Sequence, residues 1–461
     1  MITEIGSRLR ITDPSPELTR WCKEHLEIPN PEYQKKARMG LWTGQTPKTL
    51  VLYERDGNTL MFPFGCLREL LPLLDGEVKT LFAEPKKVFY EGEVPLYDYQ
   101  KEAVSALVKA HYGILQAPAG CGKTQMGIAL AFALGVKTLW LTHTKDLLTQ
   151  SKARAEQYIG SDLTGSITGG EVHIGEAMTF ATVQTMCRLD LDQYRDIWDC
   201  IIVDECHRVS GTPTAVSQFS KVLNTLRARH KYGLSATVHR SDGLINATFS
   251  LLGNIVWTVP EEAVRDRIMT VLVQPRMTRT MLDAAFLNSD GTVNHAKMIT
   301  YLTQNASRNE IILQDLETNR EHFNLILSDR INHLHLLLSG LPTVLQQRAA
   351  VIDGKMSGKR QKAQREQAIA DIRTGKLHYL FATYALAKEG FDIPRLDRLY
   401  LTTPHKDYAV IVQSIGRIAR MFDGKQSPVA YDYVDNIRSL EKAYKQRCTN
   451  YRKCGCRILS G

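Results

Sequence analysis

The octapeptide APAGCGKT, residues 117–124, follows the apolar run GILQA and precedes the helix-like MGIALAFAL. A strand that enters a glycine-bearing loop and leaves it as a helix aims backbone N–H groups and a helix N-terminus at one point, which is what phosphate binding needs. In that setting Ala119, Gly120, Cys121 and Gly122 form the cradle, and Lys123 supplies a point charge to the β and γ phosphates of a nucleotide such as ATP. Thr124 offers a hydroxyl to a metal ion, Mg²⁺ for preference. Further along, CIIVDECH (200–207) is an apolar strand that ends in two acids. At a strand tip, Asp204 can enter the shell of that Mg²⁺ and Glu205 can polarise an attacking water. His207, just after both acids, is placed to hydrogen-bond the segment Ser235-Ala-Thr237. Taken singly, the acids could only cap a loop, and the lysine could sit on a glycine-rich turn.

A third cluster is QSIGRIAR, residues 413–420. In a helix Gln413, Arg417 and Arg420 are spaced by four and three and share one face, while Ile411, Ile415 and Ile418 supply a packing stripe. Two guanidinium groups on one face suit a phosphate. As a lone segment this would be a basic surface helix.

These groups need a scaffold. From Tyr112 to Pro260 short apolar runs (GILQA, TLWLT, MTFAT, CIIVDE, KYGLSAT) alternate with amphipathic stretches, which predicts parallel strands with right-handed crossovers. A second alternation starts near Phe323 with NLILSD, LHYLFAT, RLYLTT and VAYDYV, after a region around Pro260 to Asn309 that reads as irregular. Before both, the helix-like PELTRWCKEHL, a loop at IPNPEY and strands at TLVLYER and TLMFPFG predict a small α+β domain. The expected fold class is therefore α/β: two tandem doubly wound parallel-sheet domains, 93–265 and 266–461, preceded by a small α+β domain over 1–92 that accompanies them as a nucleic-acid-binding accessory.

With 461 residues the chain is long for one core, and 43% hydrophobic with 23% charged residues exclude collagen-like, disordered and coiled-coil classes. Fifty-eight basic against 49 acidic side chains give a formal charge of +9, which favours a polyanionic partner. No run approaches the ~18 apolar residues of a membrane span, and the N-terminus lacks a basic start with an apolar run, so no membrane and a cytoplasmic setting are expected. The nine cysteines are scattered and read as reduced thiols; Cys448, Cys454 and Cys456 lack the paired spacing and the fourth ligand of a zinc site. Seven basic residues against Glu441 between Arg438 and Arg457 make that stretch a candidate for phosphate contact, whereas Lys35, Lys36 and Arg38 read as a solvated face.

Together the motifs resemble the superfamily 2 helicases and translocases, built on two RecA-like domains. LYDYQ (96–100) looks like their adenine-sensing Q motif, APAGCGKT like motif I, LTHTKDLLTQ like Ia, ATVQT like Ic, DECH like II and SAT like III. LILSDR, ATYALAKEGFDIP and QSIGRIAR resemble motifs IV, V and VI, so the likeness runs from Pro95 to about Tyr433. It implies that Gln100, Gly390 and Asp392 join the nucleotide site, and that Arg420 acts as an arginine finger on the γ-phosphoryl with Arg417 and Gln413 assisting. It also implies contacts to the backbone of one nucleic acid strand from Thr144, Thr168, Gly169, Gly170, Thr182, Gln184, Arg330 and Thr383, groups that bind phosphate without reading sequence.

Within that family, GLSATVHRSDG (233–243) resembles XPB-like DNA helicases, with Arg240-Ser-Asp242 where those have Arg-Glu-Asp. A compact N-terminal domain containing NPEYQKKARMGLWTG, directly followed by two motor domains, looks like phage branch-migration helicases of the UvsW type. The resemblance implies a monomeric, ATP-driven motor that moves 3′ to 5′ and remodels forked, branched or single-stranded DNA in replication, recombination or repair. Two alternatives stay open: an RNA helicase, and a motor with restriction-type nuclease chemistry on Asp75, Glu84 and Lys86.

Overall fold

The computed structural model describes the whole chain except residues 119, 214, 237, 239–243, 265–267, 282–285, 289–291, 354–358, 390–392, 406 and 461, and the side chains of residues 261, 359, 362, 388, 389, 408 and 409. It divides at Pro260 into two compact units.

In the first unit the apolar runs become an eight-stranded sheet. Its order is Glu171–His173, Thr164–Thr168, Met178–Thr182, Thr138–Thr142, Cys200–Asp204, His230–Ser235, Tyr112–Gln116 and Ile255–Thr258. All neighbours are parallel except the first pair, which is antiparallel. Thr138–Thr142, Met178–Thr182 and Cys200–Asp204 are buried at every position, which is why they read as unbroken apolar runs without alternation. The helix Lys123–Leu134 lies against this sheet. Gly127 permits its approach, since a β-carbon there would stand 2.6 Å from the Trp140 ring and 2.8 Å from Leu234.

The expected N-terminal α+β layer is present, as a five-stranded sheet ordered Glu54–Asp56, Thr59–Pro63, Arg8–Thr12, Ile2–Ile5, Glu77–Thr80. Ser15 caps the helix Pro16–His25, which buries Leu18 and Cys22 against Leu9, Ile11, Leu60 and Phe62. The segment read as a loop at IPNPEY is instead a short strand, Glu27–Pro29, followed by a helix, Pro31–Arg38. Asn30 caps that helix and Pro31 is pre-set for its first turn, a start signal that the two prolines disguised as a break.

This layer shares its core with the parallel sheet. Tyr112 and Ala247 belong to the same buried cluster as Leu9 and Phe62, and Phe64 meets the Tyr112 ring edge-on at 5.1 Å. Lys231, 0% exposed, donates from Nζ to the Ser7 carbonyl at 3.0 Å and the Leu223 carbonyl at 2.6 Å, with the Phe64 ring 5.0 Å away.

The second unit is a seven-stranded, wholly parallel sheet. Its order is Ala349–Ile352, Tyr379–Thr383, Asn324–Ser328, Arg398–Leu401, Val429–Asn436, Leu272–Met281, Arg457–Ile458. The region expected to be irregular holds the ten-residue strand Leu272–Met281 and the helix His295–Gln304. Pro275 and the charged residues of VQPRMTRTM mask the strand signal; beyond Val273 its outer neighbour Arg457–Ile458 has already ended, so Pro275 withholds its N–H where none is needed on that side. Buried ion pairs in this unit include Arg308 with Asp435 at 2.8 Å and Arg447 with Asp432 at 2.8 Å.

Candidate nucleotide and nucleic acid sites

Three neighbouring parallel strands, Cys200–Asp204, His230–Ser235 and Tyr112–Gln116, end at the same level, with Asp204 opposite Leu234 and Ser235 opposite Gln116. The loop leaving the third strand is tied to the second, because Ala117 N donates to the Ser235 carbonyl at 2.9 Å. Gly120 and Gly122 then adopt φ of 87° and 83°, a left-handed backbone that favours glycine. Gly122 is the N-cap of Lys123–Leu134, and no side chain caps that helix. Its first N–H groups are thus open to an external anion. Lys123 arches back, its Nζ 3.5 Å from the Ala117 carbonyl, and Cys121 is buried. Ala119 lies outside the described residues.

Gln100 abuts this loop. Its Oε1 accepts from Tyr97 N at 3.0 Å, capping the helix Asp98–Ala110, and its Nε2 stands 2.5 Å from where a β-carbon on Gly122 would be. The residue expected to sense a base is therefore also a strut between that helix and the loop.

Asp204 is 5% exposed, and its carboxyl is pushed up to about 7 by burial first and by the Glu205 charge second, against the opposing pull of Lys123 and of the Glu205 N–H 3.0 Å from its Oδ1. A buried acid crowded by a second carboxylate fits a hard divalent cation, which takes few protein ligands and keeps its waters and phosphates; Thr124, in the first turn of the helix Lys123–Leu134, is the other candidate ligand. Glu205 has φ of 51°, a strained value for a non-glycine residue, which turns the chain sharply after the strand. His207 Nδ1 lies 3.0 Å from Ser235 Oγ and 3.3 Å from Glu205 Oε2, so the histidine meets the first residue of SAT as expected. Thr237, Arg240, Ser241 and Asp242 lie outside the described residues.

The other half of the same sheet edge carries the expected nucleic acid contacts. The strands Thr138–Thr142, Met178–Thr182 and Thr164–Thr168 are neighbours, and Thr144, Thr182, Gln184, Thr168, Gly169 and Gly170 stand at or just past their carboxyl ends. Gly169 and Gly170 form an open turn where an added β-carbon meets nothing within 4 Å. Thr144 and Thr182 cap helices, accepting from Leu147 N and Thr185 N at 3.3 Å each; Thr182 is mostly buried. Gln184 reaches His143 Nδ1 at 3.2 Å. That histidine, unremarked in the sequence reading, is held below the usual imidazole range by burial and by the nearby Arg208 and His207 charges. Its only sequence signal is its place inside LTHTKD.

In the second unit, exposed Arg330 begins the helix Ile331–Gly340 and Thr383 ends the adjacent strand, so both sit at carboxyl ends of neighbouring strands. Gln413 and Arg417 share one face of the helix Tyr408–Ile418, with Ile411, Ile415 and Ile418 buried behind them. Arg417 Nε donates to the Ala387 carbonyl at 3.3 Å. Arg420 departs from the single-helix expectation: the helix stops at Ile418, and Arg420 forms an isolated bridge with Ile268. Gly390 and Asp392 lie outside the described residues.

Two readings are corrected. Arg447 is not available for phosphate, since both its Nε and an Nη are 2.8 Å from the Asp432 carboxylate, which also accepts from Tyr451. Lys86 is engaged away from the nuclease chemistry considered for Asp75 and Glu84: its amine is bound to the Asp196 and Ile197 carbonyls.

A phosphate loop and a strand-end Asp-Glu-x-His on one parallel sheet, with a second parallel α/β unit bearing the glutamine and arginine helix, define a superfamily 2 helicase of tandem RecA-like fold, an ATP-dependent enzyme. Residues 93–240 match the family model described as type III restriction enzyme, res subunit, and residues 306–422 match the helicase conserved C-terminal domain. The helicase-named protein 161L of Invertebrate iridescent virus 6 is 27% identical over 94% of this chain and 98% of its own. The DNA 3'-5' translocase XPB2 of Sulfurisphaera tokodaii is 31% identical over 36% of each chain. Among solved structures, S. cerevisiae Dbp5 bound to RNA and ADP BeF3 has a TM-score of 0.56 at 16% identity, covering 78% of this chain and 89% of that one. Among the described residues no helix is long and apolar enough to cross a membrane.

Proposed function

We propose that this helicase is a DNA motor that remodels forks and junctions by branch migration, travelling 3′ to 5′ as a monomer in the cytoplasm during replication, recombination or repair. The observation that carries the reading is the divided carboxyl edge of the first sheet, with phosphate-binding and acidic groups on three adjacent strands and sequence-blind hydroxyl, amide and glycine groups on the next three. Similarity to a DNA 3'-5' translocase supports DNA over RNA. In this reading Lys123 and the loop 119–122 hold the phosphates of ATP, with Gln100, Gly390 and Asp392 completing the nucleotide site. Thr124 and Asp204 would hold Mg²⁺, which supplies charge neutralisation on the phosphates when bound. Glu205 orients and deprotonates water, and Arg420, with Arg417 and Gln413, stabilises charge on the departing phosphoryl group.

The proposed division of labour is an accessory segment over 1–92 and motor segments over 93–265 and 266–461. Measuring ATP turnover with single-stranded, duplex, forked and four-way DNA and with matched RNAs tests the reading. Greatest stimulation by branched DNA is expected; greater stimulation by RNA would overturn the substrate assignment.

A further inference from the structure

A cavity of about 1800 Å³ in the first unit is lined by none of the phosphate-loop residues. One wall is the helix Pro31–Arg38 with the segment that follows it, and the other is the loop around Ser210, Gly211 and Thr212, a few residues past the Asp-Glu-x-His sequence. The volume exceeds the ~300–1,000 Å³ of small-molecule pockets, which favours a polymer as occupant.

Trp42 stands at this cavity and is 85% exposed. It is packed on one side only. A β-carbon on Gly44, whose φ is 47°, would fall 2.3 Å from the indole, so the ring lies directly on glycine backbone. The opposite face of the indole is left to solvent. Lys36 braces the loop, donating to Thr46 Oγ1 at 2.8 Å while paired with Glu32 at 2.7 Å. That pairing neutralises Glu32, the one acid among the described cavity-lining residues, and leaves Lys35 and Arg38 exposed on the same cavity wall.

A flat aromatic face, backed by glycine and flanked by exposed cations, is what an unpaired base and its phosphates require. Bases within a duplex are stacked on their own neighbours and have no free face to offer. We propose that this cavity binds a single-stranded DNA segment, with Trp42 stacking on a base and Lys35 and Arg38 holding the adjoining phosphates. This second grip rests on the DNA-motor reading above and gives the N-terminal segment its role: holding unpaired strand at a fork.

The test titrates full-length wild type, Trp42→Ala and Trp42→Phe with fluorescein-labelled oligothymidine and with a blunt hairpin duplex, following anisotropy. Trp42→Ala should weaken oligothymidine binding about tenfold, with Trp42→Phe recovering most of the loss and hairpin affinity unchanged. Equal oligothymidine affinity for wild type and Trp42→Ala overturns the proposal, leaving the patch for a protein partner. An equal loss on the hairpin, or a loss that phenylalanine does not recover, overturns it too. DNA stimulation of wild-type ATP turnover, measured alongside, reports on the motor reading separately.

Discussion

The imidazole of His207 lies 3.0 Å from the hydroxyl of Ser235, joining the loop after one strand to the end of its neighbour. The same nitrogen is 3.3 Å from Glu205, so a shift at Ser235 is felt at the Glu205 carboxylate. We predict that His207→Ala or Ser235→Ala lowers nucleic-acid-stimulated ATP turnover roughly tenfold with little change in nucleotide affinity, and that the double variant loses no more than either single. Additive losses in the double-mutant cycle would show that the two residues act separately.

Replacing Lys123 by alanine should abolish turnover by weakening nucleotide binding. Glu205→Gln should keep that affinity and stop hydrolysis, since the amide fills the same space without a basic oxygen. Arg420→Ala should lower kcat by about 10³-fold with nucleotide binding nearly intact. Equilibrium binding of a fluorescent nucleotide, run beside steady-state kinetics, separates the three; a near-normal kcat for Arg420→Ala would move the finger role to Arg417.

Four of the exposed cations on the helix Arg438–Lys453, namely Lys442, Lys445, Arg452 and Lys453, remain candidates for DNA phosphates, whereas Arg447 is a core residue. Neutralising the four together should flatten the dependence of DNA affinity on salt without shifting the melting temperature. Arg447→Ala should do the reverse, costing roughly 3–5 kcal/mol of stability by stranding buried Asp432. An unchanged salt slope in the first variant would reduce that face to a solvated one.

Legibility in the sequence followed burial. Strands such as Cys200–Asp204 and Asn324–Ser328 are buried at every position and announce themselves as apolar runs, and the phosphate loop is fixed by glycine and lysine spacing that few other structures use. Leu272–Met281 escaped because exposed Met277 and Met281 and a central proline break its pattern, and its pairing, mainly with Val429–Asn436, makes it a strand. Arg447 was misread because charge alone does not tell a solvated cation from one paired across the core. Trp42 escaped for the opposite reason: aromatic residues near a domain start normally pack inward, and only the glycine beneath its ring shows that it does not.

Lys231 makes stability depend on pH in a calculable direction. Burial pulls its amine down to about 7 from the ordinary 10.5, with carbonyl oxygens and a ring for company. Between those values the unfolded chain holds a proton that the folded chain does not, so this group's contribution rises with pH across that window, by at most about 1.4 kcal/mol per pH unit. Below about 7 both states are protonated and the full penalty of burying the charge applies. Wild type should therefore gain stability relative to Lys231→Met as pH is raised from 7 to 9 in urea titrations. A pH-independent difference between the two proteins would rule out the lowered amine.

The same contacts decide what removing the N-terminal segment would do. Deleting residues 1–89 takes away the Ser7 carbonyl and the Phe64 ring from Lys231, uncovers the Tyr112 side chain, and removes Gly65, which packs against the backbone of Phe249, Ser250 and Gly253. A buried lysine that loses one of its two acceptors, together with newly exposed apolar surface, is destabilising well beyond the loss of a tethered module. The truncated motor is thus expected to melt lower and to aggregate, and its ATP turnover to fall with its folded fraction. Replacing only residues 41–45 by glycine and serine should leave the melting temperature near that of wild type while weakening the hold on unpaired strand. Circular dichroism melting of both variants decides the matter: a 1–89 deletion that melts like wild type and keeps DNA-stimulated turnover would show that the shared core contributes little, and would return the segment to the status of a detachable accessory.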